Sequence, residues 1–519
     1  MTDESTTDRA PEADGPPPAT GPASFLYGWK ALLLILLIGL GARLYRIDNP
    51  VLDRQGWRQC DTAMIARNYH EKDMNLLRPE VDWNGDNGVV QCEFPLVPYL
   101  AAILYRVFGL HVFLARLVSV LFALGTMVYL FLLARRLFGE PAAGFAGIFF
   151  AVLPFSVFFT RTVQPESAML FFTTAGFWHL VSWLDARRPP HLALSILFFA
   201  FLFLVKVSNV FLGLPILFLF QRRMGWRLFL RPVPWAFAAL VLLPAVAWSL
   251  YSDRLLQESG ITFFDIWDKI TGPVHGETHI YPLYWKYYWR IWYKRLFVRN
   301  LLVGGAVFLG AGLFLHERKP YRGFLFAWAG AVLLFMFVFA QGHYVHDYYQ
   351  LPLFLPVVLF MGAGAARLWN RARPLAWKDR LRSPLLLLAA AAIPVMIPVG
   401  LHQVRRWYRI KEDAWRFCRT VDRTVEPDAT ILVDTGNAEY FYYLHRKGFR
   451  IPLPYMEDET ALRRIRDLRT NYYYCTRWSS YEEKPRVRDF LLEHGRLVLE
   501  EGEMRLYALP RPPGEPEAP

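Results

Sequence analysis

Three carboxylates spread along the first third of the chain are the first candidates for chemistry. Asp61 follows a Trp-Arg-Gln-Cys run, Glu93 precedes Phe-Pro, and Glu166 follows a proline. Asp61 could cap a helix that begins at Thr62, or it could accept a proton as a general base. Glu166 opens a helix, where the dipole favours its ionised form. The helix dipole explains why an acid stands at Glu166, but it does not explain Asp61 and Glu93. Paired carboxylates suit a transition state with positive charge on a sugar ring.

Basic residues at the ends of apolar runs are candidates for binding an anion. Lys206 ends one such run, where it could extend toward the membrane surface or hold a phosphate as a point charge. His343, His346 and Asp347 open another run, and the two histidines could contribute to a metal site. No third or fourth ligand is apparent, so phosphate binding at a helix N-terminus is the better expectation. Ordinary interfacial polar residues are the alternative.

A segment dense in aromatic residues, 281–295, carries a basic stripe. Lys286, Arg290 and Lys294 recur every four residues and are therefore expected on one face of a helix. Aromatic side chains with a basic face are typical of a helix that lies in the membrane interface. This helix could simply anchor the chain, or it could guide an anionic lipid headgroup toward the carboxylates.

The elements that must position these residues are membrane helices. Of the 519 residues 54% are hydrophobic, and they collect in runs of about 18–24, enough to cross a bilayer core of about 30 Å. The net charge of +13 does not indicate nucleic acid, because the basic residues lie in short connections between apolar runs. Eleven spans are predicted, at 26–46, 111–135, 141–159, 167–185, 191–205, 208–221, 233–251, 298–315, 322–341, 349–368 and 384–402.

Charge asymmetry predicts the orientation of these spans. Alternate connections are rich in arginine, for example at 135–136, 187–188 and 367–382, and by the positive-inside rule they face the cytoplasm. The N-terminus is then inside, and the three carboxylates, Lys206 and the histidines all lie outside. The basic segment 252–297 would also lie outside, but long loops carry little weight in this rule.

The two ends of the chain differ from the apolar body. Residues 1–24 are acidic and rich in proline, glycine and alanine, so a disordered cytoplasmic tail is expected. Residues 403–510 are predicted to form a small extracytoplasmic α/β domain, followed by a disordered tail at 511–519. Its predicted strands are 429–434, 472–476 and 505–509, and its predicted helices are 439–446 and 459–468.

All four cysteines, Cys60, Cys92, Cys418 and Cys475, fall outside the cytoplasm by this topology, where disulfides can persist. A bond between Cys60 and Cys92 would draw Asp61 and Glu93 together. Two free buried thiols are the alternative, and spacing does not decide between them.

The order of these motifs resembles the GT-C membrane glycosyltransferases of glycosyltransferase family 39. That group includes protein O-mannosyltransferases and the aminoarabinose transferase that modifies lipid A. The likeness covers about residues 25–400 and rests on Asp61, Glu93-Phe-Pro, Pro165-Glu166, Lys206 in a short hairpin, and His343-x-x-His346-Asp-Tyr-Tyr. It implies a polytopic α-helical membrane protein of GT-C type over 25–402, with a catalytic outer loop at 47–110, an interfacial loop at 252–297 and a small C-terminal extracytoplasmic α/β domain.

The resemblance also implies an activity. The donor would be a sugar linked to polyprenyl phosphate, and the acceptor a lipid, glycan or protein outside the cytoplasm. Transfer would invert the anomeric carbon, the lipid bilayer would be a partner, and the protein would reside in the inner (cell) membrane. No cofactor is required, and a divalent cation is possible but not indicated.

The resemblance carries over roles residue by residue. The catalytic residues are Asp61, Glu93 and Glu166. Binding of the donor phosphate and lipid is assigned to Arg58, Lys206, Lys286, Arg290, His343, His346 and Tyr348. Acceptor or sugar binding is assigned to Trp57, Gln59, Arg67 and Asp347. The chain departs from the family pattern where Thr62 follows the first acid and where Phe94 follows Glu93.

Three other kinds of protein remain alternatives, and one of them is a non-enzymatic assembly protein whose working part would be the C-terminal domain. A polytopic transporter would place its ionisable residues near the middle of the bilayer, whereas here they cluster at the outer edges. A polyprenyl-linked oligosaccharide ligase or polymerase would also face outward and use basic residues.

Overall fold

The computed structural model describes residues 28–263, 284–314 and 321–510. The predicted tails at 1–24 and 511–519 lie outside the described residues, as does part of the predicted interfacial loop. Before residue 410 the described α-helices are Gly28–Leu44, Gly56–Glu71, Leu96–Phe108, Val112–Phe138, Glu140–Val152, Pro154–Phe159, Glu166–Ala186, Pro189–Val205, Gly213–Met224, Pro232–Ser259, Trp285–Tyr287, Gly305–Phe314, Arg322–Val338, Ala340–Val345, Leu351–Ala372, Trp377–Leu381 and Pro384–Trp407. A π-helix, Tyr288–Asn300, and short 3₁₀ turns connect some of them.

Each of the eleven predicted spans overlaps one of these helices, because apolar runs bounded by proline, glycine and arginine specify helices locally. Within the described residues, four helices are long and apolar enough to cross a membrane: Val112–Phe138, Pro232–Ser259, Asp347–Ala372 and Pro384–Thr424. A fifth is possible if Trp285–Asn300 and Gly305–Phe314, which meet at 105°, form one span. Several other apolar helices are shorter, so the count of eleven remains a prediction.

The helix that carries Asp61 corrects one expectation. It runs from Gly56 to Glu71, so Asp61 lies inside the helix and does not cap it. The residue before it, Gln55, adopts a left-handed conformation at φ 60°, and this turn starts the helix earlier than Thr62. Nearly the whole helix is buried, from Arg58 through Tyr69, between the membrane helices and the C-terminal region. Asp61 is therefore available for a role other than capping.

The region after residue 410 contains a five-stranded mixed sheet. Its strands are β1 (Ile431–Val433), β2 (Gly448–Arg450), β3 (Tyr472–Cys475), β4 (Arg496–Glu501) and β5 (Met504–Ala508), in the order β2-β1-β3-β5-β4. Strands β2, β1 and β3 are parallel, and β5 joins β3 and β4 antiparallel. The helices are Glu412–Thr424, Glu439–Leu444, Asp458–Leu468 and Pro485–His494.

The sequence predicted three of these strands and two of the helices to within a few residues. It missed β2 and β4, whose polar residues give no clear alternation. The helix Pro384–Trp407 runs through the predicted domain boundary at 402, so the polypeptide enters this region as a continuous helix.

The four cysteines are free and buried. The Cys60 Sγ atom lies 3.5 Å from the carbonyl oxygen of Val51, and burial raises the pKa of the Cys60 thiol well above its usual value. The Cys60–Cys92 disulfide is therefore not formed in this structure, and the acids are held together by other contacts.

Candidate active site

Asp61 lies at the centre of the candidate site and is bound by a tryptophan. The indole Nε1 of Trp83 donates a 3.0 Å hydrogen bond to Asp61 Oδ1, and both side chains are buried. Burial raises the pKa of Asp61 to about 6, against the opposing effect of the positive charges of Arg450 and Arg58. A carboxyl group with a pKa this close to neutral can both accept and release a proton.

Glu93 differs from Asp61 because it is paired with cations. Arg58 Nη2 lies 2.7 Å from Glu93 Oε2, and Lys206 Nζ lies 3.5 Å from Glu93 Oε1. Burial by itself would raise the pKa of Glu93, but Arg58 and Lys206 outweigh it and lower the pKa to about 2. Glu93 is therefore a fixed negative charge at neutral pH, and it is a poorer general base than Asp61.

Lys206 bridges Glu166 and Glu93. Its Nζ atom donates a 2.7 Å hydrogen bond to Glu166 Oε1 and stands over the rings of Tyr348 and Tyr349, at 5.5 and 5.3 Å from their centres. Burial disfavours the charged ammonium, but Glu166 and Glu93 outweigh this and raise the pKa of Lys206 to about 12. The alternative of a lysine extending freely to the membrane surface is therefore excluded.

Glu166 begins its helix as predicted, and one of its oxygens is available. Among the described residues, Oε2 of this buried carboxylate has no hydrogen-bond partner, while Oε1 accepts from Lys206. An unpaired buried carboxylate oxygen is costly unless a ligand or water supplies a donor.

The histidine motif divides into two parts. His343 is fully buried against Phe335, neither ring nitrogen has a partner among the described residues, and burial lowers its pKa to about 3. The imidazole is therefore neutral, and the expected charge on a phosphate does not come from it. His346 instead contacts Trp57, with ring centres 5.4 Å apart, and stacks on Tyr348 at the same distance.

Asp347 is bound by the segment that precedes the helix of Asp61. Arg54 forms an ion pair with its Oδ2, and the Gln55 amide donates a 3.0 Å hydrogen bond to Oδ1. These contacts hold the histidine segment against the segment that carries Asp61. The contact of Asp347 with sugar or acceptor stays a prediction.

Arginines gather near Asp347, and of these the sequence analysis singled out only Arg290. Arg295 is buried and donates to the carbonyl oxygens of His343, at 2.6 Å, and Tyr344, at 2.9 Å. Arg54, Arg295 and Arg299 each interact electrostatically with Asp347, and Arg290 lies beside Arg295 and Arg299. Three arginines thus act on one carboxylate with a fourth close by, whereas Arg58 and Lys206 are already matched by Glu93 and Glu166. The excess positive charge lies on the arginine side of the cluster.

Within the predicted basic stripe the structure separates the residues. Arg290 stacks on Tyr344, with its guanidinium 4.1 Å from the ring centre, so it reaches the histidine segment. Lys286 is exposed and Lys294 contacts Trp289 at 5.7 Å, so neither is brought to the acids. Lys286 lies in the short helix Trp285–Tyr287, whereas Arg290 and Lys294 lie in the π-helix Tyr288–Asn300.

Two other predicted contact residues hold the loop together. The buried Gln59 amide donates to Asp53 Oδ1 at 2.5 Å, and the buried Arg67 forms an ion pair with Asp82 and donates to the carbonyl of Tyr442 at 2.6 Å. Their polar groups are thus engaged within the protein, and their contacts with sugar or acceptor stay a prediction.

In the part of the chain that the structure describes, no group of three or more His, Cys, Asp or Glu side chains is placed to hold a metal ion. An apolar cavity of about 700 Å³ lies apart from the acids and is lined at its ends by Tyr45 and Arg405. Its walls come from the apolar helices Gly28–Leu44, Glu140–Val152 and Pro384–Trp407.

Residues 93–251 match the family model described as dolichyl-phosphate-mannose-protein mannosyltransferase. No curated protein sequence matches the chain significantly.

Solved structures match over almost the whole chain. ArnT from Cupriavidus metallidurans bound to undecaprenyl phosphate has a TM-score of 0.66 and 13% identity, over 92% of this chain and 97% of ArnT. The archaeal oligosaccharyltransferase AglB from Archaeoglobus fulgidus, in complex with an inhibitory peptide and a dolichol-phosphate, has a TM-score of 0.61 and 12% identity, over 93% and 74%. Arabinofuranosyltransferase AftD from Mycobacteria has a TM-score of 0.50 and 14% identity, over 93% and 41%.

These structures are GT-C glycosyltransferases, and the resemblance expected from the sequence is confirmed. At this level of identity the likeness establishes the fold. The fold is of the GT-C type, and of the structures that share it ArnT is bound to undecaprenyl phosphate and AglB is in complex with a dolichol-phosphate.

Proposed function

We propose that this chain transfers a single sugar, a hexose or a pentose, from a polyprenyl-phosphate donor to an acceptor outside the cytoplasm. The observation that carries the proposal is the pair of carboxyl groups with different ionisation in one buried cluster. Asp61 has a pKa of about 6, whereas Glu93 is held charged by Arg58 and Lys206. A base poised near neutral pH beside a fixed negative charge suits glycosyl transfer.

Asp61 accepts the proton of the acceptor hydroxyl in this proposal. As it loses its proton, the acceptor oxygen attacks the anomeric carbon of the donor. The bond from that carbon to the phosphate oxygen breaks. Attack opposite the leaving phosphate inverts the anomeric configuration. Glu93 and Glu166 stabilise the positive charge that develops on the sugar ring, and the unpaired Oε2 of Glu166 is available to accept a hydroxyl of the substrate.

The leaving phosphate carries negative charge that needs compensation. The arginines around Asp347 have positive charge to spare, so we place the phosphate near Arg290 and Arg295, with Lys206 and Arg58 closer to the sugar. Two structures with the same fold support a lipid phosphate as ligand, because ArnT is bound to undecaprenyl phosphate and AglB is in complex with a dolichol-phosphate. No cofactor takes part in this scheme, and no metal is required.

The proposal includes a sidedness. The acids and the arginines face away from the cytoplasm, the N-terminus is cytoplasmic, and the protein resides in the inner membrane of the cell. The charge asymmetry of the connecting segments supports this orientation.

The test is a comparison of envelope lipids, glycans and proteins by mass spectrometry in cells with the wild-type chain, without it, and with Asp61→Asn. We expect one product to lose the mass of one sugar both without the chain and in the variant. The anomeric configuration of that product, read by NMR, tests inversion. A wild-type amount of the glycosylated product in the Asp61→Asn strain would contradict the assignment of Asp61 as the base.

Transfer of a preassembled oligosaccharide is a second candidate, favoured by the fold match to the oligosaccharyltransferase AglB. The same spectra separate the two, because the lost mass would then equal several sugars. If the chain were a transporter, detergent extracts of cells that lack it would still form the glycosylated product.

A further inference from the structure

The sheet after residue 410 reaches the candidate active site through strand β2. Gly448 donates a 2.9 Å backbone hydrogen bond to the carbonyl of Asp82, and Gly85 donates a 2.8 Å bond to the carbonyl of Gly448. Asn84 and Phe449 form an isolated antiparallel bridge. Strand β2 is thus hydrogen-bonded to the outer-loop segment that contains Trp83.

Glycines bring the loop, β2 and β1 close together. A side chain at Gly85 would place its Cβ 2.5 Å from the ring of Phe449 in β2, and Gly85 has a φ of +61°, in the left-handed region that favours glycine. A side chain at Gly448 would place its Cβ 1.8 Å from the carbonyl oxygen of Ile431 in the neighbouring strand β1. The backbone thus places β2 tightly between the loop and β1.

Arg450, two residues after Gly448 in the same strand, stands on Trp83. Its guanidinium carbon lies 3.8 Å from the centre of the Trp83 ring, and one of its nitrogens donates to the carbonyl of Gly436. A planar guanidinium on an indole face is a favourable and geometrically defined contact. The N–H group at the edge of the same indole donates to Asp61.

The stack continues toward the second acid. Phe263 lies beside Trp83, with ring centres 6.3 Å apart, and the guanidinium of Arg58 lies 5.1 Å from the centre of the Phe263 ring. Two arginines therefore flank two aromatic rings, one arginine from the helix Gly56–Glu71 and one from the sheet after residue 410. Arg58 pairs with Glu93, and Arg450 is the cation on the Asp61 side.

We propose that Arg450 is a positioning residue of the candidate active site, which holds the Trp83 indole against Asp61 and supplies positive charge to that carboxylate. The region after residue 410 then completes the site, and it is more than a packing element. The proposal rests on the proposed function in one respect, which is that it takes Asp61 as the base. Its physical content, the control of Asp61 by Arg450, stands independently of any substrate.

The experiment follows the ionisation of Asp61 by infrared spectroscopy of the purified full chain in lipid nanodiscs during a pH titration. The carboxyl band that disappears in Asp61→Asn identifies the group. In the wild type we expect it to titrate near the pKa of about 6. Removing a nearby positive charge disfavours the carboxylate, so Arg450→Gln should raise this midpoint by about one pH unit. At the wild-type midpoint the ionised fraction then falls from about a half to about a tenth.

Three further variants make the result specific. Lys447→Gln removes a cation that stands directly before β2. Lys447 pairs with the exposed Asp86, at 2.9 Å, so this change should leave the Asp61 midpoint unchanged. Arg450→Lys keeps the charge and should stay close to the wild type. Arg450→Met is a second neutral variant that keeps an aliphatic stem over the indole, and it decides the question if Arg450→Gln does not fold.

An unchanged Asp61 midpoint in a folded neutral variant would overturn the proposal, and so would an equal rise in Lys447→Gln. Because the titration needs no donor or acceptor, its outcome is separate from that of the transfer assay. A chain whose Asp61 responds to Arg450 but that transfers no sugar would refute the proposed function and leave this inference standing.

Discussion

Lys206 and Glu166 form a buried ion pair, in which the lysine Nζ lies 2.7 Å from Glu166 Oε1. The lysine comes from the short turn after Pro189–Val205, and the glutamate opens the helix Glu166–Ala186. The same ammonium lies 3.5 Å from Glu93. Lys206 thus bridges Glu166 and Glu93, so its removal should affect the whole site.

Lys206→Met is expected to destabilise the protein. The variant leaves Glu166 buried without its cation, and breaking a buried ion pair from one side costs about 3–5 kcal/mol. Thermal unfolding in detergent should show a lower Tm. Adding Glu166→Gln should restore part of the loss, because the second change removes the uncompensated charge. A wild-type Tm in Lys206→Met would show that the pair does not contribute to stability.

Asp61→Asn is expected to lower the rate of transfer by about 10²–10⁴-fold, the range that a general base contributes. The side chain keeps its size, and its oxygen can still accept from the Trp83 N–H, so Tm and expression should stay near wild type. The amount of envelope product formed per minute by reconstituted protein measures the effect. Asp86→Asn is a suitable control, because Asp86 is exposed and pairs with Lys447.

The transfer rate should rise with pH through the pKa of Asp61, about 6. Below this value the carboxyl group holds its proton and cannot accept another, whereas above it the base is free. A plot of kcat/KM against pH should therefore have an acidic limb with a midpoint near 6. In Trp83→Phe the lost hydrogen bond no longer stabilises the carboxylate, so the limb should move to higher pH. A flat profile between pH 5 and 7 would argue against Asp61 as the base.

Neutral substitutions at Arg290 and Arg295 should weaken binding of undecaprenyl phosphate. Each removes one positive charge from the group around Asp347, and we expect about a tenfold rise in Kd, or about 1.4 kcal/mol. Lys294→Gln is the matched control, since this lysine lies on the same helix, is exposed and contacts Trp289. Native mass spectrometry with added lipid measures Kd. Equal affinity in all three variants would move the phosphate site elsewhere.

The orientation can be tested with single introduced cysteines, because the four native thiols are buried. Asp73 and Arg188 are both exposed and lie in connections predicted to face opposite sides. In spheroplasts a membrane-impermeant maleimide should label Asp73→Cys, whereas Arg188→Cys should react after permeabilisation alone. The reverse pattern would invert the topology and place the acids in the cytoplasm.

Much of the fold could be predicted from sequence because its signals are local. Apolar runs of sufficient length form helices wherever they stand, and every predicted span coincides with one. The three acids and Lys206 were also found in advance, since an ionisable residue at the end of an apolar run is conspicuous. Of the arginine group Arg290 was found, as part of the basic stripe. Arg54 and Arg295 were not, because they lie far apart in the chain and resemble ordinary basic residues of a loop.

The ionisation of each group was beyond the sequence. His343 was expected to bind phosphate as a cation, yet burial makes it neutral, and Asp61 was weighed as a helix cap although it lies inside its helix. A pKa depends on burial and on the charges within a few ångströms, and long-range packing sets both.

The sequence by itself determined that the chain is a helical membrane protein and which of its residues stand at the ends of the spans, since hydrophobic length and loop charge are local properties. The tertiary structure alone decided how those residues pair. It brought Lys206 to Glu166, Trp83 to Asp61, and Arg450 from strand β2 to the far face of that indole. Such pairings arise when segments distant in the chain meet, so no local pattern encodes them.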